Sequence, residues 1–137
     1  MTDTISQESQ TAAWPTGISA ITLFVEDSPA AKEFYQRAFG LPVFYKDDNS
    51  TVFQIGNTLI NLLTVSAAPE LIEPAAVADP AAGHRFVFTI TVADVDATAA
   101  GLVERGVTLL NGPMDRPWGI RTASFADPAG HIWEIAN

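Results

Sequence analysis

Apolar and polar positions repeat in the same order along the two halves of the chain. Residues 18–25 alternate in the manner of a strand and lead into Asp27, and residues 84–92 do the same ahead of Asp94. After each aspartate come a stretch with helical spacing, a glycine and further short alternating stretches. Alternation predicts strands, and a period of three to four residues predicts helices. The sequence therefore predicts two copies of one β-α-β-β-β module.

Both predicted helices carry start and stop signals. The first begins at Asp27 and ends at Gly40, and the second is capped by Asp94 or Asp96 and ends at Gly106. Aspartate is a preferred capping residue, and glycine commonly follows the last helical turn. The apolar side chains with helical spacing in the first helix are predicted to lie in the core: Ala31, Phe34, Tyr35, Ala38 and Phe39.

The other alternating stretches complete each module, and a loop is predicted from Gly112 onward. The strands predicted in this way are 43–46, 51–55 and 58–65 in the first module and 107–110, 120–126 and 131–136 in the second.

We therefore expect one α+β domain at residues 18–137, in which two βαβββ modules pair curved sheets around a cleft. Module one spans 18–65 and module two spans 84–137. The segment 66–83 between them is rich in proline and alanine without lasting periodicity, which predicts a linker. The polar residues 1–17 predict a flexible N-terminal tail.

Composition narrows the classes of function. The chain has 137 residues, 47% of them apolar, and a formal net charge of −9. Such a surface repels phosphate backbones and anionic membranes, so we expect neither a nucleic-acid nor a membrane partner. The sequence has no cysteine, which excludes thiol nucleophiles and disulfides and favours a cytoplasmic location. No apolar stretch is long enough to cross a bilayer.

Helices must cover one face of each sheet, so alternate strand residues are predicted to face a cleft on the other side. Most of these positions are apolar, four carry neutral hydroxyl or amide groups, and only Glu134 is charged. Glu134 is either an ordinary carboxylate near a strand end, with water or Arg121 beside it, or an acid that orients a ligand or binds a metal. The predicted cleft positions are Ala20, Thr22, Phe24, Leu59, Asn61, Leu63, Val87, Thr89, Thr91, Ile132, Glu134 and Ala136.

The segment 113–121 is a second candidate for ligand binding. Trp118 could stack on a planar ligand, and Arg116 or Arg121 could hold a carboxylate through two parallel hydrogen bonds. The alternative is that Trp118 covers the edge of the core and that Arg121 pairs with an acid such as Asp127.

The two histidines, His84 and His131, are the only imidazoles. Strict alternation turns His131 away from Glu134 and places His84 on the opposite face from Val87. We therefore expect both histidines to be polar groups of a turn or strand end, unless a bulge reverses the alternation.

Four segments carry a resemblance to a known family. They are Leu23-Phe24-Val25-Glu26-Asp27, Phe34-Tyr35 with Phe39-Gly40-Leu41, Pro117-Trp118-Gly119-Ile120-Arg121, and Asp127-Pro128-Ala129-Gly130-His131-Ile132-Trp133-Glu134. With the module order, they resemble the vicinal-oxygen-chelate superfamily of glyoxalases, extradiol dioxygenases and bleomycin-resistance proteins. The resemblance covers 18–137 and implies a glyoxalase/bleomycin-resistance-like fold.

The resemblance also implies where metal ligands would lie. Metal-using members place them on the first, fourth, fifth and eighth strands, which here fall on Ala20, Asn61, Val87 and Glu134. Only Glu134 is a usual ligand, and a catalytic divalent metal generally needs about three protein ligands. We therefore predict no cofactor, with a divalent metal on Glu134 as the alternative.

Three functions remain open at this point. The first, implied by antibiotic-binding and antibiotic-resistance relatives, is a homodimer that sequesters a planar or aromatic compound in an apolar cleft. The second is a lyase, isomerase or dioxygenase with Glu134 as general base or metal ligand. The third is a domain whose cleft is filled by its own side chains. The residues predicted to bind the ligand are Thr22, Phe24, Asn61, Thr89, Trp118, Arg121 and Glu134.

Overall fold

The computed structural model describes residues 15–137, and positions 1–14 of the predicted tail lie outside them. The first sheet has the strand order β1-β4-β3-β2, and helix α1 (Ser28–Phe39) connects β1 to β2. Strands β1 and β4 are parallel, and the other pairs are antiparallel. The strands of this sheet are β1 (Ala20–Val25), β2 (Tyr45–Lys46), β3 (Ser50–Ile55) and β4 (Thr58–Thr64).

The second sheet repeats this plan. Its order is β5-β8-β7-β6, with β5 and β8 parallel, and helix α3 (Val95–Glu104) connects β5 to β6. The repeat confirms the predicted α+β fold of two βαβββ units. The strands of this sheet are β5 (Phe88–Thr91), β6 (Leu109–Asp115), β7 (Arg121–Ala126) and β8 (Ile132–Ala136).

The segment between the sheets contains short helical turns that the sequence pattern did not predict. They are the 3₁₀ turns Val65–Ala67 and Pro80–Ala82 and the short helix α2 (Pro69–Ile72). None of the helices between residues 15 and 137 combines the length and apolar composition that crossing a bilayer requires.

The predicted helix ends are confirmed. The carboxylate of Asp27 accepts a hydrogen bond from the Ala30 amide at 3.0 Å, and that of Asp94 accepts one from the Ala97 amide at 3.0 Å. Asp94 is therefore the cap of α3, and Asp96 lies in its first turn. Gly40 ends α1 in the left-handed conformation, with φ of 66°.

Two strands of the second sheet differ from their predicted bounds by more than one residue. Strand β5 begins at Phe88 and not at residue 84, because its neighbour β8 begins only at Ile132 and leaves the earlier residues without a partner. Strand β6 runs through Gly112 to Asp115, where a loop was predicted. Its pairing with β7 shifts register twice, and such irregularities let a strand accommodate glycine and proline.

Helix α1 packs against both sheets, and the predicted burial of Phe34 and Tyr35 is confirmed. The Tyr35 ring lies 5.9 Å from the ring of Phe53 in β3 and 6.0 Å from that of Trp133 in β8. The Phe34 ring lies 6.3 Å from that of Phe125 in β7. The core is therefore shared by the two sheets, and aromatic pairs of this kind add about 0.5–1.5 kcal/mol each beyond area burial.

A buried hydrogen-bond network joins α1 to the second sheet. The Tyr35 hydroxyl donates to Oδ2 of Asp127 at 2.6 Å and accepts the indole N–H of Trp133 at 2.9 Å. Asp127 also accepts from the amides of Ala129 and His131 and from Nδ1 of His131. A carboxylate can stay buried only when it is hydrogen-bonded in this way.

The same surroundings raise the pKa of the Tyr35 phenol far above its ordinary value. Burial is the largest cause, and the negative charge of Asp127 is the second. Both disfavour the phenolate, so Tyr35 remains protonated in the folded protein at every physiological pH.

Replacing Tyr35 with phenylalanine removes one hydroxyl, which leaves the buried Trp133 indole N–H without its acceptor and Asp127 with one hydrogen bond fewer. We expect Tyr35→Phe to lower the free energy of unfolding by about 2–3 kcal/mol, because a buried hydrogen bond to a charged group is lost. Urea unfolding followed by circular dichroism measures this change.

Tyr45→Phe is the matched control, since the Tyr45 hydroxyl also donates to an aspartate, Asp47, at 3.0 Å, but on an exposed strand. We expect the control to change the free energy by less than about 1 kcal/mol. Equal losses in the two variants would contradict the structural role of the buried network.

The raised pKa of Tyr35 makes stability depend on pH in the alkaline range. Below pH 10 the phenol is protonated in both the folded and the unfolded chain. Above pH 10 only the unfolded chain releases the proton, so the free energy of unfolding falls by up to about 1.4 kcal/mol per pH unit. Urea unfolding at pH 9 and pH 11 should show this loss in the wild type and a smaller loss in Tyr35→Phe. An identical loss in both proteins would assign the alkaline sensitivity to other groups.

Candidate functional site

The candidate site lies on the sheet faces that turn away from the helices, here called the cleft faces. In β1, Leu23 and Val25 are buried in the core, whereas Thr22 and Phe24 alternate with them and lie on the cleft face. In β8, Trp133 and Ile135 are buried in the same core. The side chain of Glu134, between these two, therefore lies on the cleft face.

On the first sheet, the cleft face carries a neutral polar pair. Thr22 and Asn61 are register neighbours on β1 and β4, and Nδ2 of Asn61 donates to Oγ1 of Thr22 at 3.5 Å. Oδ1 of Asn61 is buried and accepts no hydrogen bond from residues 15–137. This pair therefore holds unused hydrogen-bonding capacity next to apolar neighbours such as Leu63.

On the second sheet, the cleft face carries a row of polar residues across all four strands. Asn111 of β6 pairs in register with Ser124 of β7, Ser124 pairs with Glu134 of β8, and Glu134 pairs with Thr89 of β5. The Thr89 hydroxyl donates to Oε1 of Glu134 at 2.9 Å. We call Asn111, Ser124, Glu134 and Thr89 the polar row.

Residues of both sheets meet around one cavity near this row. A cavity of about 290 Å³ is lined by Ile21 of β1, Ile60 of β4 and Thr89 of β5, among others. The β1 and β4 side of the first sheet therefore adjoins the β5 side of the second. The neutral pair lies on β1 and β4, and the polar row begins on β5 with Thr89.

Phe24 lines a different cavity, of about 310 Å³, at the end of β1. Its other walls include His84 and His131, and the His131 ring stacks against the Phe86 ring at 6.1 Å. Nδ1 of His131 donates to Asp127 at 2.8 Å, because a carboxylate only accepts. His131 is thus a polar group of the turn after β7, as expected.

The segment between β6 and β7 is a tight turn that presents Trp118 to solvent. The Arg116 amide donates to the Ile120 carbonyl at 2.7 Å, and the Gly119 amide donates to the Arg116 carbonyl at 3.0 Å. Trp118 lies at the tip with 68% of its surface exposed. The alternative in which Trp118 covers the edge of the core is therefore wrong.

The two arginines of this segment have different surroundings. Arg121 donates to Asp96 of α3 through two nitrogens and to Asp115 through a third, each at 3.0 Å. It therefore turns toward the helix side. The alternative in which Arg121 pairs with an acid is confirmed, but the acids are Asp96 and Asp115 and not Asp127, which binds Tyr35 and His131. The Arg121 hydrogen bond lowers the pKa of Asp96, and the two carboxylates raise that of Arg121.

Arg116 instead folds back over the cleft face. Its Nε donates to Oγ1 of Thr122 at 2.8 Å, and its Nη2 donates to Oδ1 of Asn111 at 3.0 Å. Both acceptors are neutral, and within residues 15–137 no carboxylate lies within ion-pair distance of Arg116. Thr122 and Asn111 lie on the same face as the polar row, since both pair with residues of that face.

The sequence and the fold of this chain match those of known proteins. Residues 17–135 match the sequence model of the Glyoxalase/Bleomycin resistance protein/Dioxygenase superfamily. The chain belongs to this superfamily. The uncharacterized protein YraH of Bacillus subtilis strain 168 is 34% identical to it over 119 residues, which are 84% of this chain and 93% of YraH. The match confirms the predicted resemblance.

Solved structures show the same superfamily fold. A glyoxalase/bleomycin resistance protein/dioxygenase from Nocardioides has a TM-score of 0.81 at 24% identity and covers 92% of this chain and 85% of its own. A glyoxalase-related enzyme from Fulvimarina pelagi has a TM-score of 0.78 at 26% identity, over 89% of this chain and 88% of its own.

The residues at the four strand positions do not fit a superfamily metal site. Ala20 and Val87 have no donor atoms in their side chains, Asn61 is a neutral amide, and only Glu134 is a carboxylate. Across residues 15–137, no group of three or more histidine, aspartate or glutamate side chains is arranged to hold a metal ion.

The structure brings some of the predicted site residues of this superfamily member together and separates others. Thr22 lies beside Asn61, and Thr89 lies beside Glu134, on adjoining strands. Phe24 lines the cavity at the end of β1, and Trp118 lies at an exposed turn. Arg121 is paired on the helix side.

The sequence offered Arg116 and Arg121 as alternatives for holding a carboxylate, but the predicted ligand-binding set included only Arg121. Both arginines occur in one segment, and the sequence pattern named a possible acidic partner for Arg121 alone. The signal that separates them is the alternation of β7, which places Thr122 and Ser124 on the cleft face and Arg121 on the other. Asp115 of β6 pairs in register with Arg121, so Asp115 lies on the same side of the sheet as Arg121.

Gly112 fixes the part of β6 that supports Arg116. Its φ is +84°, and an added Cβ would lie 2.4 Å from the Thr122 carbonyl oxygen. We expect Gly112→Ala to lower the free energy of unfolding by about 4 kcal/mol, since strain and a backbone clash add up. Gly119→Ala is the matched control, because φ there is +98° but no atom lies within 4 Å.

We expect the control to lower the free energy of unfolding by only about 1–2 kcal/mol, because it adds backbone strain without a clash. Urea unfolding of both variants measures the difference. A Gly112→Ala protein as stable as Gly119→Ala would show that β6 and β7 do not approach as closely as described.

Proposed function

We propose that this superfamily member is a small-molecule-binding protein that sequesters a planar or aromatic compound on its cleft faces without a complete metal site. The observation that carries the proposal is the residue set at the four strand positions. Aliphatic side chains stand at Ala20 and Val87, a neutral amide at Asn61, and a single carboxylate at Glu134. Such a surface offers apolar contact with a few orienting polar groups, as ligand-binding sites do.

The orienting groups are partly held in place before a ligand arrives. Thr89 fixes one oxygen of Glu134, and Asn61 donates weakly to Thr22 while its own carbonyl oxygen accepts from none of the described residues. Polar groups with unmet hydrogen bonds in a half-buried surface gain when a ligand supplies the partner. Trp118, with most of its ring exposed, supports stacking on a flat compound.

We also propose that two copies associate in solution, in a cytoplasmic protein. Several large apolar side chains are exposed in a single chain, and exposed apolar surface of this kind marks binding or association surfaces. Tyr45 and Met114 are two of them, and both pair in register with residues of the cleft faces. A second copy that covers them would enclose the ligand. The exposed apolar residues in question are Phe44, Tyr45, Leu110, Met114 and Trp118.

A catalytic function is the second candidate, and the position of Glu134 favours it. One of its oxygens accepts from Thr89, so the other remains available to take a proton from a bound compound. The superfamily includes enzymes: a solved relative from Agrobacterium tumefaciens, at 21% identity and a TM-score of 0.72, is named lactoylglutathione lyase. In this chain Glu134 would act as a general base in a lyase or isomerase reaction.

The proposal predicts that flat aromatic compounds bind and that Trp118 contributes to their affinity. We expect Trp118→Ala to weaken binding about five- to tenfold and Trp118→Phe to weaken it less, since a smaller ring still stacks. Calorimetric titration of a panel of uncharged bicyclic and tricyclic aromatic compounds measures these affinities. Val103→Ala, an exposed apolar position on α3, is the control and should bind as the wild type does.

The same titration after chelator treatment separates binding from metal catalysis. Unchanged affinity, with no stoichiometric metal in untreated protein, supports the metal-free binder. Stoichiometric metal that disappears in Glu134→Ala would overturn it. Turnover of a bound compound by metal-free protein, abolished in Glu134→Ala, would establish the general-base enzyme in its place.

A further inference from the structure

The cleft face of the second sheet holds two opposite charges that do not reach each other. Arg116 is anchored on Asn111, at one end of the polar row, and Glu134 lies two strands further along the same row. Neighbouring strands are about 4.8 Å apart, so the backbones of Asn111 and Glu134 lie about 10 Å apart. No ion pair joins Arg116 to Glu134 in the described part of the chain.

The guanidinium of Arg116 is held by one edge and has donors to spare. Nε and Nη2 are bound to Thr122 and Asn111, and the described residues engage no hydrogen of Nη1. An arginine fixed in this way loses little side-chain entropy when a carboxylate binds to its remaining edge. Thr122 is fully buried beneath it, which keeps the anchor rigid.

The carboxylate of Glu134 is likewise anchored on one side only. Thr89 donates to Oε1, and Ser124 lies between Glu134 and the Arg116 end of the row. Its unengaged oxygen can accept from an ammonium or another N–H donor. Each half-buried charge therefore lacks a charged partner among residues 15–137, and each would be stabilised by an opposite charge on the ligand.

Arg121, the other arginine near the turn, is not available to bind a ligand carboxylate. Arg121 is neutralised by Asp96 and Asp115 on the helix side.

The whole chain carries a net charge of −9, which repels a ligand with a single negative charge at long range. A ligand with one charge of each sign avoids that repulsion and still satisfies Arg116 locally.

We propose that the ligand of the cleft is a planar zwitterion whose carboxylate binds Arg116 and whose ammonium group binds Glu134, with its flat middle lying across Ser124. This inference rests on the proposed function, because it names the chemical class of the compound that the cleft faces bind. It also replaces Arg121 with Arg116 as the arginine that contacts the ligand.

Three probes with the same aromatic ring test the charge pattern. They are 4-(aminomethyl)benzoate, which is a zwitterion at pH 7, benzoate, which has only the carboxylate, and benzylamine, which has only the ammonium. Calorimetric titration should show the zwitterion binding at least tenfold more tightly than either single-charge probe. Benzoate binding as tightly as the zwitterion would overturn the proposal.

Variants then assign each charge to its residue. Arg116→Gln should reduce the affinity for 4-(aminomethyl)benzoate to that for benzylamine and leave benzylamine binding unchanged. Glu134→Gln should reduce the affinity to that for benzoate and leave benzoate binding unchanged. The unchanged single-charge probe shows in each case that the variant is folded. Arg116→Lys should recover only part of the loss, because lysine keeps the charge but not the two parallel donors.

Arg37→Gln on helix α1 is the matched control, since it removes one guanidinium and changes the net charge equally. It should leave all three affinities as in the wild type. An equal loss in Arg37→Gln and Arg116→Gln would assign the effect to overall charge and overturn the proposal.

Uncharged 4-methylbenzamide separates this inference from the proposed function. If it binds as tightly as the zwitterion and Trp118→Ala weakens both, the cleft is an aromatic binding site and the zwitterion proposal fails alone. If none of the four probes binds and the uncharged polycyclic panel does, the zwitterion proposal again fails alone. If neither the probes nor the panel binds, both proposals fail.

Discussion

The hydroxyl group of Tyr35 is the point at which the two halves of the molecule are tied together. The strands form two separate sheets, so the position of one relative to the other depends on helix α1 packed between them. The apolar contacts of α1 bury surface in the core shared by the two sheets, but burial of this kind is not directional. The hydrogen bonds of Tyr35 to Asp127 and Trp133 are directional, and they fix the helix on the second sheet.

The cleft faces depend on that placement and on strand register. The polar row exists because four strands align Asn111, Ser124, Glu134 and Thr89 side by side. A slip of one residue would turn each of them into the core, where Trp133 and Phe125 now pack. The burial of those two aromatic rings against α1 therefore keeps the polar row on the cleft side. The packing of the core and the position of the proposed ligand-binding residues thus have the same cause.

The sequence pattern predicted the fold because most local signals agreed with it, with Gly112 as an exception, since it predicted a loop where β6 continues. Asp27, Gly40 and Asp94 mark helix ends by short-range chemistry, and period-two alternation assigns each strand residue to a face. The site was harder to predict, because its contacts are distant in sequence. Helical spacing explains the burial of the Tyr35 ring but not its bond to Asp127, 92 residues away. In the same way, the hydrogen bond of Arg121 to Asp96 joins residues that are 25 positions apart and lie on different elements.

The two halves share one strand order, yet the Tyr35 network takes its phenol from the first half and its carboxylate from the second. Counted from the capping aspartates, the residue of α3 that corresponds to Tyr35 is Leu102, which is buried but has no hydroxyl. The turn that corresponds to Asp127 is the short Gly56–Asn57 connection, which carries no carboxylate. Two first halves would present two phenols without the Asp127 carboxylate, and two second halves would lack the phenol that binds Asp127 and Trp133. The two modules therefore keep one strand order, but each carries the part of the hydrogen-bond network that the other lacks.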